Sequence, residues 1–440
     1  MKKTILLSVF LLCNALFSFG QWPTSDLSEA KKNMGTAVLG TKVYYAGGNN
    51  GTNSLSTVEV YDIATGTCSV AGNLSNAREI ISGVSCGSKV LFAGGMDWST
   101  NYATVDIFDA VTQLWTVEQL SVPRFSMAAV SHDTRVMFAG GIQIFTNNWS
   151  SLVNIFDIQT GGWSTTNLSQ PREGIAAVVV GDRALFAGGF GFGMTTNRVD
   201  IYNFATNTWS KDSLSLARGF ASATTVGNKV IIAGGITSLN NTTNRVDIYD
   251  ALTGTWDTAS LSFPRASQGN AATCNGKAYF AGGGVFMGSG YYSPSDVIDI
   301  YNPANDTWTV TSLNEPLLEH SVAGVGNFIL VAGGKNGQGN FVSTIEILDF
   351  VGGIAPSSKD NTLFRVHPNP SSGNIRLDLP KENHQKPITA IVYNLQGQVV
   401  FSQIIETANP GLNMNLADGI YLLKVISGTA AHTELIAIQN

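Results

Sequence analysis

Seven Gly-Gly pairs, beginning at Gly47, Gly94, Gly140, Gly188, Gly234, Gly282 and Gly333, follow one another at intervals of 47, 46, 48, 46, 48 and 51 residues. A period of this size means that one supersecondary unit is copied along the chain and buries its apolar faces against its neighbours. Each pair ends a β-like run: VYYAGG, VLFAGG, VMFAGG, ALFAGG, VIIAGG, AYFAGG and ILVAGG. A second, alternating run follows, as in Val105-Asp106-Ile107-Phe108-Asp109 and Val246-Asp247-Ile248-Tyr249-Asp250. Alternation with period two is the signature of a strand. Next comes a short turn such as Leu252-Thr253-Gly254, then a tryptophan: Trp115, Trp163, Trp209, Trp256 or Trp308, with Cys68 in the first copy. A leucine stands five residues later and a basic residue nine later, as in Trp256, Leu261 and Arg265. Each period therefore holds four short strands.

Four strands per period is the content of one propeller blade, and radial repetition protects sheet edges. The Gly-Gly pair, the aromatic-Asp pair and the following Trp together resemble the kelch repeat, over residues 21–351. The resemblance implies an all-β fold: a seven-bladed kelch-type β-propeller. Its last copy has the run Thr344-Ile345-Glu346-Ile347-Leu348-Asp349 but no Trp strand after it. Trp22, Leu27 and Lys31 repeat the spacing of Trp256, Leu261 and Arg265 at the other end of the chain. The expectation is that Gln21-Trp22 supplies the missing strand and the N-terminus closes the ring.

The flanks read differently. Lys2 and Lys3 precede an apolar run from Ile5 to Phe17, and Ser18-Phe19-Gly20 offers a small-residue cleavage site, so residues 1–20 read as a secretory signal peptide. That run is too short to span a bilayer, and no membrane span is expected in the mature chain. Residues 352–361 have linker composition. Beyond them, Pro368-Asn369-Pro370, Gly397 and the Gly419-Ile420-Tyr421 run resemble the type A C-terminal sorting domain of the type IX secretion system over residues 362–440. The chain departs from that family at Thr433-Glu434-Leu435, where a lysine is common. The resemblance implies a small β-sandwich, the type IX machinery as partner, and a secreted or cell-surface location in a Gram-negative bacterium.

A formal net charge of −6 argues against a nucleic-acid partner, because phosphate binding needs a basic surface. Without Cys13 of the leader, Cys68, Cys86 and Cys274 remain, an odd number read as buried thiols. Only His132 and His320 lie in the repeat region, too few for a histidine metal site. Kelch-related copper oxidases need two histidines, two tyrosines and a linked cysteine, and these two histidines sit in different repeats. The run Gly188–Gly193 is not followed by a helical pattern, so no dinucleotide site is read there. No catalytic constellation, metal or cofactor is expected.

Two charged rows recur with the repeat. Arg78, Arg124, Arg172, Arg218 and Arg265 hold one position, with Lys31 in register and Leu317 as the exception. Glu59, Asp106, Asp200, Asp247, Asp299 and Glu346 hold the other, with Asn154 as the exception. One reading has these rows order the blades. The other makes the arginines a basic binding ring at the channel mouth, as in kelch domains of ubiquitin-ligase adaptors that bind acidic peptides. Strand parity places the arginine loops on the same face as the long loops between second and third strands, which carry Trp98, Tyr102, Trp149, Tyr291 and Tyr292. Aromatic rings on variable loops of a rigid scaffold suit a glycan or a peptide. The leading expectation is therefore a non-enzymatic binding or adhesion module for an extracellular glycan or protein. Two alternatives stand beside it: a carbohydrate-active epimerase, mutarotase or lyase in the propeller mouth, suggested by kelch-type sialic-acid epimerases, and a purely structural surface protein.

Overall fold

Six of the seven alternating strands end in an aromatic followed by Asp or Asn, and that pair builds both the turn and the blade. Asp62, Asp109, Asp157, Asn203, Asp250 and Asn302 each accept the backbone N–H two residues on through Oδ1, which fixes the tight turn into the outermost strand. The aromatic before it lies opposite the repeat's tryptophan: Phe108 opposite Trp115, Phe156 opposite Trp163, Tyr202 opposite Trp209, Tyr249 opposite Trp256 and Tyr301 opposite Trp308. Their ring centroids are 4.7–5.1 Å apart, a favourable cross-strand contact. Several indole N–H groups donate across to the preceding blade: Trp163 to Glu118, Trp209 to Thr166 and Trp256 to Asp212.

The computed structural model describes residues 22–440 apart from 144–147, 239–240, 267–268, 289–290, 351–364, 368–370, 379–387, 394–398, 406–410, 428–429 and 439–440. The signal peptide, the linker, and Pro368, Asn369, Pro370 and Gly397 thus lie outside the described residues. The chain divides into two compact units, Met1–Pro356 and Ser357–Asn440.

The first unit holds seven antiparallel sheets, each with four strands of the repeat. Blade 1 runs Gly35–Leu39, Lys42–Ala46, Thr57–Asp62, Thr67–Asn73. The innermost strands of blades 2 to 7 are Ser82–Cys86, Ala128–His132, Ala176–Val180, Ser222–Val226, Ala271–Cys274 and Ser321–Val325. Each innermost strand packs on the next, and that of blade 7 packs on that of blade 1, so the ring is closed. Blade 7 is completed from the other end of the chain: Thr24–Asp26 pairs antiparallel with Thr344–Asp349, Thr24 opposite Glu346. The closing strand starts two residues later than Gln21-Trp22, because Pro23 offers only its carbonyl, which accepts from Ile347 N–H. Trp22 keeps the tryptophan role: its indole N–H donates to Ser312 O of blade 6 at 2.9 Å, and its ring stands 5.3 Å from that of Phe350.

The glycine pairs show why the repeat needs them. The first glycine of a pair has φ near +60°, and a Cβ there would meet the carbonyl oxygen of the next repeat's basic residue: 2.4 Å from Arg78 at Gly47, 2.3 Å from Arg124 at Gly94. The second glycine donates its N–H to that same oxygen, Gly48 to Arg78 O at 3.0 Å and Gly95 to Arg124 O at 3.1 Å. The pair is thus the seam between consecutive blades. Cys68, Cys86 and Cys274 are free. Burial pushes their thiols up to about 11.

In the second unit, the strands Arg365–His367, Asn374–Asp378 and Gly411–Asn413 form one sheet, and Val399–Ile405, Ile388–Tyr393, Gly419–Ser427 and Ala430–Ile438 form another. Ile375, Leu377, Leu412 and Met414 of the first sheet's segment share one core with Val392, Leu423, Val425 and Ile436 of the second. This is a small β-sandwich. Tyr421 donates its hydroxyl to Ala417 O at 2.9 Å and lies over Gly419.

Candidate binding face

The arginines come first, because they sit inside the blades. Arg78, Arg124, Arg172, Arg218 and Arg265 are 0–3% exposed. Arg78 reaches Asp106 at 2.5 Å, Arg172 reaches Asp200, Arg218 reaches Asp247 and Arg265 reaches Asp299, each at 2.7 Å, while Lys31 pairs with Glu59. The same guanidinium groups donate to strand-end carbonyls: Arg78 to Gly94 O and Phe92 O, Arg172 to Gly188 O and Phe186 O. Each aspartate also accepts a backbone N–H from the incoming loop, as Asp106 does from Ser75. This corrects the expectation that the arginine row contacts ligand. A guanidinium satisfied by a carboxylate and backbone carbonyls, out of solvent, ties loop to blade.

The two exceptions in the rows become two charge defects. In blade 3 the acid is Asn154, so among the described residues Arg124 is buried without a counter-ion, and burial brings it down to about 10. In blade 7 the base is Leu317, 1% exposed, and among the described residues Glu346 keeps only backbone N–H partners, from Asn314 and Glu315. Burial, followed by the nearby Glu315 charge, drives Glu346 up to about 7. The folded state then holds this proton more tightly than the unfolded chain. Below the ordinary glutamate range both states are protonated and the effect is silent. As pH rises from there through about 7, the wild type loses stability. Glu346→Gln is expected to remove that loss, leaving the variant more stable at pH 8 by on the order of 3 kcal/mol and unchanged at pH 4. Urea unfolding at the two pH values checks this, and equal midpoints at pH 8 would contradict it.

The loops between second and third strands form hairpins over one face. Arg124 N–H bonds to Tyr102 O and Arg172 N–H to Ser150 O, so these hairpins share a face with the arginine-bearing loops, as strand parity requires. Met96–Asp97 pairs with Thr100–Asn101, and Trp98 at the tip is 73% exposed. The hairpin is preset: Asp97 accepts from Ser99 and Thr100 N–H through Oδ1, and Tyr102 donates its hydroxyl to Oδ2 at 2.6 Å. Tyr102 therefore holds the tip that displays Trp98 and is itself half-buried. Trp149, also half-buried, packs against Phe190 and Phe192 with centroids 6.2 and 5.4 Å away, and its indole N–H donates to Glu173 Oε1 at 3.1 Å. Phe192 is 72% exposed. On blade 6, Tyr292 lies over Gly284, its ring 5.3 Å from that of Phe286. The side chain of Tyr291 lies outside the described residues.

Between the hairpins opens the axial channel, a cavity of about 1000 Å³ bounded by all seven innermost strands. Its deeper wall is made largely of small side chains, and hydroxyls of its lining are spent between blades: Thr36 to Ser321, Ser82 to Met127 O and Thr273 to Thr225 O. At the mouth stand Asn33, Ile80, Ser126, Phe220 and Glu319, all at positive φ. Three of them carry a backbone ring from blade to blade: Asn33 N–H to Glu319 O, Ile80 N–H to Asn33 O, and Phe220 N–H to Gly174 O. Among the described residues no group of three or more His, Cys, Asp or Glu is arranged for a metal, and no helix is long and apolar enough to cross a membrane. His320 is buried, bonded to Asn270 and Ala281 O, and burial lowers it to about 4. His132 stacks on Phe204 and faces Asp182 at 3.2 Å.

Residues 30–75, 171–212 and 217–260 match the kelch motif, and residues 365–439 match the secretion system C-terminal sorting domain. The chain carries kelch repeats and a type IX sorting domain. A solved structure, that of YjhT, is similar at 15% identity and a TM-score of 0.51, covering 66% of this chain and 99% of its own. This likeness shows the fold alone. No curated protein matches the chain. The sorting domain marks the kelch protein for type IX secretion, to the outer surface or surroundings of a Gram-negative cell.

Sequence reasoning had no hold on Glu173. It follows Arg172, and the equivalent residues in the other repeats are Lys32, Glu79, Phe125, Gly219, Ala266 and Leu318, so it belongs to no periodic row. The signal lay in that variability, next to an otherwise fixed position.

Proposed function

We propose that this kelch protein is a non-enzymatic binding module outside the cell, recognising a glycan or a peptide through the hairpin face of its propeller. The observation that supports this most is the division of labour around the mouth. The charged rows are buried and order the blades, whereas Trp98 and Phe192 are held out on preset hairpins beside a wide cavity. Exposed rings of this kind on a single face mark an interaction surface. The rival reading of an enzyme in the mouth calls for an acid and a base free of structural duties. His320 and Glu173 instead each have structural partners.

The test is a glycan and peptide array probed with the mature full-length protein and with Trp98→Ala and Phe192→Ala. Both side chains are exposed, so stability should change by less than about 0.5 kcal/mol. Lost binding with unchanged stability is the expected result. Binding that survives both substitutions for every ligand recognised would move the site elsewhere.

A further inference from the structure

Among the described residues, the Asp, Glu, Lys and Arg side chains that line the cavity are two glutamates, Glu173 and Glu319. All five arginines are withdrawn into the blades, and Lys32, the basic residue at the rim, is held by Glu319 at 2.6 Å. Glu79 is 2% exposed and is used by Asn33 and Asn49 at 2.9 and 3.0 Å. Glu173 is different. It lines the cavity, is partly exposed there, and accepts from the Trp149 indole and the Ser126 hydroxyl. Among the described residues no cation pairs with it, and burial lifts its carboxyl above the ordinary glutamate range. A carboxylate in that position gains from a cation that replaces lost water. The same cavity is lined by Phe125, Phe220 and Tyr292, and ring faces attract cations.

We infer that the channel mouth receives a lysine or arginine side chain of a peptide, with Glu173 as its counter-charge and the neighbouring rings as its walls. This rests on the hairpin-face reading above and specifies its ligand. A peptide fits better than an amino sugar because the surrounding face offers apolar, flexible contacts: Met194, Met287 and Phe263 are 66, 65 and 48% exposed. Methionines of this kind suit apolar side chains flanking an anchor.

The experiment titrates mature full-length protein with fluorescent peptides in which one Lys or Arg is flanked by leucines. Matched peptides carry norleucine or citrulline instead, and chitosan oligomers serve as the amino-sugar arm. Basic peptides are expected to bind at least about tenfold tighter than their neutral partners, and Glu173→Gln should erase about that factor, the size of one charge-assisted contact. Equal binding of basic and neutral peptides by the wild type would overturn the inference without any variant being needed. So would an unchanged Glu173→Gln, or a preference for chitosan. If neutral ligands bind and Trp98→Ala abolishes that binding while Glu173→Gln does not, the binding face stands and the cation site falls. If no ligand of any arm binds, both fall.

Discussion

Deleting residues 21–26 is expected to open the propeller and make the chain aggregate. The deletion removes Thr24–Asp26 from the strand Thr344–Asp349, whose central residues Ile345, Glu346 and Ile347 are buried. It also removes Trp22, which packs on the core of blades 6 and 7 and bonds to Ser312 O and Asn314. Thr344–Asp349 stays paired with Phe328–Ala332 but becomes a buried-type strand with one open edge, a template for another chain. Trp22→Ala alone should cost about 3 kcal/mol, the low end for a tryptophan because the ring is half-buried. Size-exclusion chromatography and thermal unfolding of both variants check this. A monomeric deletion variant with wild-type Tm would mean that the seventh blade does not need its fourth strand.

Arg172→Ala is expected to cost about 3–5 kcal/mol, far more than any change to the exposed rings, because it leaves Asp200 buried without its cation. Asp200 is 1% exposed and, among the described residues, would retain only the Ser169 N–H. Replacing both partners together, Arg172→Met with Asp200→Leu, should recover most of the loss, since the desolvation penalty then disappears with the charges. Chemical denaturation of the two single variants and the double variant gives the coupling. A loss below about 1 kcal/mol for Arg172→Ala would return the arginine row to the list of ligand-facing groups.

Much of the fold was legible because repetition writes long-range contacts into local spacing. The Trp22, Leu27, Lys31 interval located the closing segment from one copy of the pattern, and the structure shifts its strand by only two residues, for the reason that Pro23 lacks an N–H. The charged rows were equally visible, including their gaps at Asn154 and Leu317. Their meaning was not. Whether an arginine points into a blade or into a channel depends on its acceptors, and here many are backbone carbonyls such as Gly94 O and Phe92 O, which no residue pattern names. Glu173 was hidden for the opposite reason: of its equivalents only Glu79 is also acidic, and its environment is assembled from blades 3, 4 and 5. Tyr102 was legible as an aromatic on the right loop, but its hydroxyl bond to Asp97 gives it the work of holding Trp98 in place.

The composite seventh blade also sets the timing of folding. Asp26 and Ser343, bonded in the closed ring, are 317 positions apart in the chain. The segment Thr24–Asp26 must therefore stay unpaired while six blades' worth of chain emerges behind it, and the closing contact is among the slowest to find by sequence distance. A secreted chain has to cross the inner membrane before it locks. A ring whose last seam needs both ends together cannot lock until the whole propeller has been synthesised.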